Sequence, residues 1–135
     1  MQGVDVMVVG QRAEERWRLA AGLDQPAAAA VAPEVATSRL SHPSTSAPDA
    51  VVLVVHDQQE LAWLATHTTR SARRWVPVVA LVAREGLARA ASAVGAVAVV
   101  CLEVPADELA AQLRHALATV TEPAVVITLD AVRSA

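Results

Sequence analysis

Residues 50–55, Ala-Val-Val-Leu-Val-Val, are six apolar residues in a row with no alternation. A strand with one wet face places every second side chain in water. A run this uniform needs cover on both faces, and such strands belong to parallel sheets whose crossovers lay helices on each side. Three more runs share the pattern: Val-Asp-Val-Met-Val-Val (4–9), closed by Gly10, then 75–83 and 96–102. These four segments constrain the fold more than any other feature of the chain.

Helical patterns fill the intervals. Residues 12–23 carry Leu19 and Leu23 at i, i+4 with alanines between, as a helix with one packed face requires. Asp57 and Glu60 fit a variant of the capping box, opening a helix to about Thr69 with Leu61 and Leu64 on its inner side. Residues 85–94 read as a helix stopped by Gly95. Pro105 starts a last helix with Leu109, Leu113 and Leu117 on one stripe. The Ala-rich stretch 26–40 fits a short strand near 28–32 and a short helix over 34–40, and residues 41–48 read as a loop. Strand–helix alternation with doubly buried strands predicts an α/β, flavodoxin-like three-layer sandwich. Its sheet has five parallel strands in the order 2-1-3-4-5.

At 135 residues the chain is one domain by length, large enough to bury about two thirds of its unfolded surface. Its apolar mass is Ala and Val, with no Phe or Tyr, so the core must be small side chains closely packed. Trp17, Trp63 and Trp75 are the large exceptions. A net charge of −3 argues against a nucleic-acid binder in this segment itself. All 11 basic residues are Arg, which excludes a P-loop lysine or a Schiff base. A single Cys101 forms no internal disulfide and fits a reducing compartment. No stretch has signal-peptide form and none approaches the roughly 20 apolar residues that span a bilayer. The expectation is a soluble, cytoplasmic protein without membrane contact.

Gly-Ala-Val-Ala-Val-Val-Cys-Leu-Glu-Val-Pro-Ala-Asp-Glu-Leu, continuing to Leu117, places a Gly-Ala before a strand and a Pro-x-Asp-Glu-Leu opening on the final helix. In this the chain resembles a response-regulator receiver domain. The likeness extends back through 77–83 and 48–54 to 4–10, with 24–47 poorly matched. Residues 125–135, VVITLDAVRSA, are similar to the segment that follows receivers joined to a LuxR-type helix-turn-helix. The implied organisation is a receiver-like domain over 1–120 and the start of a linker over 121–135. DNA binding would then belong only to a downstream domain.

The resemblance also implies where phosphorylation chemistry would sit. The family's magnesium-binding acid pair falls on Gly10 and Gln11, and its phosphoacceptor on Val54. Its switch hydroxyl falls on Val82, its aromatic switch residue on Val99 and its lysine on Leu102. Phosphoryl transfer to a carboxylate needs a nucleophile and a cation to neutralise phosphate oxygens, and these side chains supply neither. Val54 therefore marks an atypical receiver that acts independently of the usual phosphorylation, with no cofactor and no bound metal expected. Shifting the acceptor to Asp57 needs a three-residue slip, whereas helix capping explains both Asp57 and Glu60. Asp5 reads as a strand-start residue.

The crevice beyond the carboxyl ends of the strands is where ligands bind in this architecture. Arg12, His56, Asp57, Arg84 and Glu103 fall there; the two arginines suit an anionic small molecule or a partner's carboxylate, against the plainer reading of solvated loop charges. His42, His56, His67 and His115 lack metal-ligand spacing among themselves or with Cys101. Arg70, Arg73 and Arg74 read as a solvated turn. Trp17 is either an exposed contact or a shield for the sheet edge. The last helix exposes Glu108, Gln112, Arg114 and His115, and the resemblance implies homodimer contacts through that helix. The functional expectation is a non-enzymatic regulatory or dimerisation module of a transcriptional regulator. The alternatives are a pseudo-receiver interaction domain of a localisation ATPase and a small-ligand-sensing domain.

Overall fold

The computed structural model describes residues 4–41, 48–70 and 76–121, without the side chains of residues 68–70, 106 and 121. Five strands, β1 (Val6–Val9), β2 (Ala30–Val31), β3 (Ala50–Val55), β4 (Val78–Val82) and β5 (Ala98–Cys101), form one sheet of order β2-β1-β3-β4-β5. Every pairing is parallel, with Val9 opposite Leu53 and Val54 opposite Leu81. The helices are α1 (Ala13–Gly22), α2 (Pro33–Ser41), α3 (Gln58–Arg70), α4 (Ala88–Ala93) and α5 (Ala106–Thr121). This is the flavodoxin-like architecture and strand order that the doubly buried strands imply. His42, Arg73, Arg74, Trp75 and the linker expected beyond Thr121 lie outside the described residues.

All six residues of β3 are buried, as are all five of β4. Their side chains divide by parity into two cores. Ala20 of α1, Leu23 at its C-cap, and Leu113 and Leu117 of α5 cover Val6, Val8, Val52, Val54 and Leu81 on one side. Ala36 and Leu40 of α2, Leu64 of α3 and Ala91 of α4 cover Val9, Val51, Val55 and Val82 on the other. Ala and Val suffice because close helix-on-sheet approach replaces bulky side chains.

Local signals set the boundaries. The helix expected over 85–94 begins as a 3₁₀ turn, Glu85–Leu87, and becomes α-helical at Ala88. Gly95, at φ 123°, takes the left-handed conformation that stops it. At the end of α1, Asp24 takes that conformation at φ 58°. Its N–H donates to Ala21 O and that of Gln25 to Ala20 O, the paired bonds of a Schellman motif. The Gln25 side chain then works as a short substitute strand beside β1: Nε2 donates to Val4 O at 3.0 Å, and Oε1 accepts from Val6 N at 3.2 Å. Asp5 lies ahead of β1, where its N–H donates to Asp49 Oδ2 at 2.8 Å. That is the sheet end opposite the crevice, in keeping with a strand-start role.

Candidate functional site

The strand order reverses between β1 and β3, so the crevice of this architecture opens beyond Val9 and Val55. Gly10 leaves β1 there and stays tied to β2, its N–H donating to Val31 O at 3.2 Å. A Cβ on Gly10 would lie 3.5 Å from both Cβ and Cγ2 of Val54 and 3.7 Å from Cβ of Arg16. Val54 is 1% exposed. Leu102, half-buried after β5, packs against the same core, held by its N–H donating to Val82 O at 2.8 Å. Gly10, Val54 and Leu102 thus gather on the α1–α5 side. Val82 pairs with Val55 rather than Val54 and points to the other side, with Val99 packed against that second core. Gln11 is exposed.

Above Val54, polar side chains are committed to the fold. His56 Nε2 lies 2.8 Å from Glu15 Oε1, both side chains about one quarter exposed. Because a carboxylate only accepts, that ring nitrogen carries the proton. The bond joins α1 to the β3–α3 junction. Asp57 Oδ1 accepts from Gln59 N at 2.8 Å, while Glu60 Oε1 reaches back to accept from Asp57 N at 3.0 Å and His56 N at 2.7 Å. This reciprocal capping box uses both acids as the sequence indicated. Asp57 is therefore engaged as the N-cap of α3.

Arg16 takes a part that sequence reasoning missed. Its Nη1 donates to Gly10 O at 3.0 Å and, at the limit of bonding distance, to Gln11 O at 3.5 Å. Its Nε is buried without an acceptor. The available signal was its place one turn into α1, where a long side chain reaches back over the strand end.

The remaining crevice candidates do not converge into a built site. Arg12, Arg84 and Glu103 are exposed. Arg12 occupies the N-cap of α1 without a side-chain capping bond. Among the described residues, no group of three or more His, Cys, Asp and Glu side chains converges on one point. A magnesium ion, which a receiver fold implies, takes carboxylate oxygens. Gly10, Gln11 and Val54 offer none, Glu15 is bonded to His56 and Asp57 caps α3, so the residues present do not fit that ion.

On α5, Glu108, Gln112, Arg114 and His115 are exposed, as the leucine stripe predicts. Gln112 Nε2 donates to Glu108 Oε1 at 3.0 Å. Arg114 also ties α5 to α1 within the chain. Its Nη2 donates to Gly22 O at the end of α1, and it lies 4.0 Å from Asp24. Trp17 is 53% exposed, which decides between its two readings in favour of solvent. Cys101 is half-buried against the α2–α4 core. Among the described residues, no helix is long and apolar enough to cross a membrane.

With this geometry in hand, solved structures identify the architecture. NtrX from Brucella abortus, in complex with ADP, superposes with a TM-score of 0.66 at 19% identity, over 93% of this chain and 29% of its own. The fold is that of a CheY-like receiver domain. NtrX in complex with ATP gives 0.63 at 20% identity over the same shares. A response regulator CheY-like protein from Mesorhizobium loti gives 0.51 at 17% identity, over 80% of this chain and 95% of its own. This receiver-like chain spans less than a third of the NtrX chains. No protein-family model matches the sequence, nor does any curated protein. At these identities the likeness is one of fold alone.

Proposed function

We propose that this chain is a receiver-shaped regulatory module that works without aspartyl phosphorylation, by protein contacts rather than chemistry. The observation that carries this reading is the burial of Val54 at the switch point of the sheet, 3.5 Å from where a Gly10 side chain would begin. Where a phosphoacceptor and a cation would meet, this chain has a buried branched side chain and bare backbone. Phosphate chemistry needs a nucleophile and a neutralising cation together. Losing both leaves a consistent apolar site, whereas losing one would strand a buried charge.

The module then acts by dimerising, through the exposed face of α5, a transcriptional regulator whose DNA-binding part follows it. A two-fold dimer suits a helix-turn-helix reading two half-sites. That NtrX, three times as long, contains the same fold supports a module working within a larger protein.

The test is incubation with acetyl phosphate and Mg²⁺, read by intact mass, and with beryllofluoride, read by amide NMR. Unchanged mass and spectrum are expected. A phosphoryl adduct on any residue, Asp57 included, overturns the reading.

A further inference from the structure

Two exposed large apolar side chains flank the same edge of the sheet. Trp17 of α1 is 53% exposed and Val35 of α2 is 42% exposed. Bonds within the chain fix the side of the helix on which each one stands. Glu15 reaches His56 at the end of β3, and Gly22 O accepts from Arg114 of α5, so that side of α1 faces β3 and α5. Trp17 lies two residues beyond Glu15, about 200° around the helix, and therefore stands on the side toward β2. On α2, Thr37 accepts from Trp63 and marks the side that faces α3. Val35 and Arg39 lie two residues to either side of Thr37, on the opposite flank of the helix. Arg39 Nη1 confirms that placement by donating to Ala28 O, just ahead of β2, at 2.8 Å. The two helices cover opposite faces of the sheet, and the exposed Ala27 and Ala28 run along the edge between them.

This edge is poorly suited to adding another strand. β2 has only two residues. The N–H of Ala30 donates to Ala27 O, and Ala28 O accepts from Arg39. A partner here is held by side chains rather than by shared backbone.

The charges select the partner. Each helix carries an exposed acid in its first turn and an exposed base about one turn later: Glu14 and Arg18 on α1, Glu34 and Arg39 on α2. A two-fold axis perpendicular to the sheet sets each helix antiparallel to its own copy. Glu14 then comes opposite the turn that holds the second copy's Arg18, and Glu34 opposite the turn that holds the second copy's Arg39. One axis serves both helices, because β1 and β2 end level, with Val9 opposite Val31, and each helix starts within four residues of those ends. Opposed macrodipoles add to the match. A two-fold axis along the strands would instead set Glu14 against Glu34.

We propose that the α1–β2–α2 edge is a self-association face, that its occupant is a second copy of this chain and that Trp17 is its anchor. The contact is isologous, and a desolvated tryptophan supplies most of its energy. The face is separate from that of α5 and needs neither the α5 contact nor the phosphorylation-independent reading.

Sedimentation velocity from micromolar to submillimolar concentration tests it in the chain carrying His115→Glu and Gln112→Arg, which removes the α5 contact. A concentration-dependent dimer is expected. Trp17→Ser in that background should weaken self-association roughly tenfold or more. Arg18→Glu should also weaken it by setting acid against acid, and adding Glu14→Arg, which exchanges the pair, should restore it. Unchanged thermal unfolding checks that these exposed substitutions leave the fold intact. A monomer at every concentration overturns the proposal. So does a dimer that Trp17→Ser leaves unchanged, or one that the exchanged pair fails to restore. If the α5 contact is wrong, the His115 and Gln112 changes leave the wild-type sedimentation as it was, and the Trp17 result stands by itself.

Discussion

A Cβ on Gly10 would stand 3.5 Å from Val54 Cβ, an ordinary van der Waals distance between two positions 44 residues apart in sequence. Gly10→Ala is therefore expected to be tolerated. Val54→Asp is expected to destabilise by several kcal/mol, because it buries a charge in a core without a designed partner. Val54→Ala leaves a small cavity and should cost about 1–3 kcal/mol. Urea denaturation of the three variants checks the order. Val54→Asp alone should also take no phosphoryl group from acetyl phosphate, by intact mass, since the carboxylates for a cation are still missing.

The capping box at α3 predicts unequal losses. Asp57→Ala removes one acceptor at an exposed N-cap and should cost about 1 kcal/mol. Glu60→Ala removes the acceptor of two N–H groups from a residue 1% exposed and should cost about 1–3 kcal/mol. Thermal unfolding with far-UV circular dichroism should rank Glu60→Ala below Asp57→Ala.

His67 gives the fold an acid-sensitive element. Burial lowers its pKa below the ordinary 6.5, against a smaller raising effect of the Val76 carbonyl. Nε2 lies 3.3 Å from Val76 O, and the ring stacks on Trp63 at 5.1 Å between centroids. The unfolded chain thus binds a proton at higher pH than the folded one. Stability is full above about pH 6.5, falls as pH drops through that value, and stops falling from this source below the lowered folded pKa. Urea midpoints between pH 7.5 and pH 5 should decline less in His67→Phe than in the wild-type chain.

Trp63 fastens α3 to α2 by donating from Nε1 to Thr37 Oγ1 at 2.8 Å and Pro33 O at 3.1 Å. Trp63→Phe and Thr37→Val should each destabilise, and the double variant should cost less than their sum by about 0.5–1.5 kcal/mol. A double-mutant cycle by urea denaturation measures that coupling.

The proposed dimerisation through α5 needs a probe that leaves the monomer intact. Arg114 is unsuitable, since it bonds to Gly22 O and lies near Asp24. His115→Glu with Gln112→Arg alters the exposed face without breaking that link. Sedimentation velocity is expected to show a smaller species for this pair of changes than for the wild-type chain, with thermal stability unchanged.

Much of the fold was legible because its signals are local. The unbroken run at 50–55 became β3 with the same bounds, and Asp57 and Glu60, three residues apart, became a capping box. Edges were less legible: β1 was expected over 4–9 and forms over Val6–Val9, because Val4 and Asp5 are held instead by Gln25 and Asp49. The crevice was only half readable. The apolar character of Val54 and Leu102 is plain in the sequence, but Val82 projects to the opposite core, a matter of sheet register.

The sequence by itself determined a doubly covered parallel sheet, its helix stripes and the oily residues near its switch point, because periodicity and capping act over a few neighbours. Only the tertiary structure decided that Arg16 grips Gly10 O, that Glu15 meets His56 and that Arg114 closes the end of α1. Those contacts depend on how far flexible side chains reach between separately placed elements, and that distance is set by packing rather than by spacing along the chain.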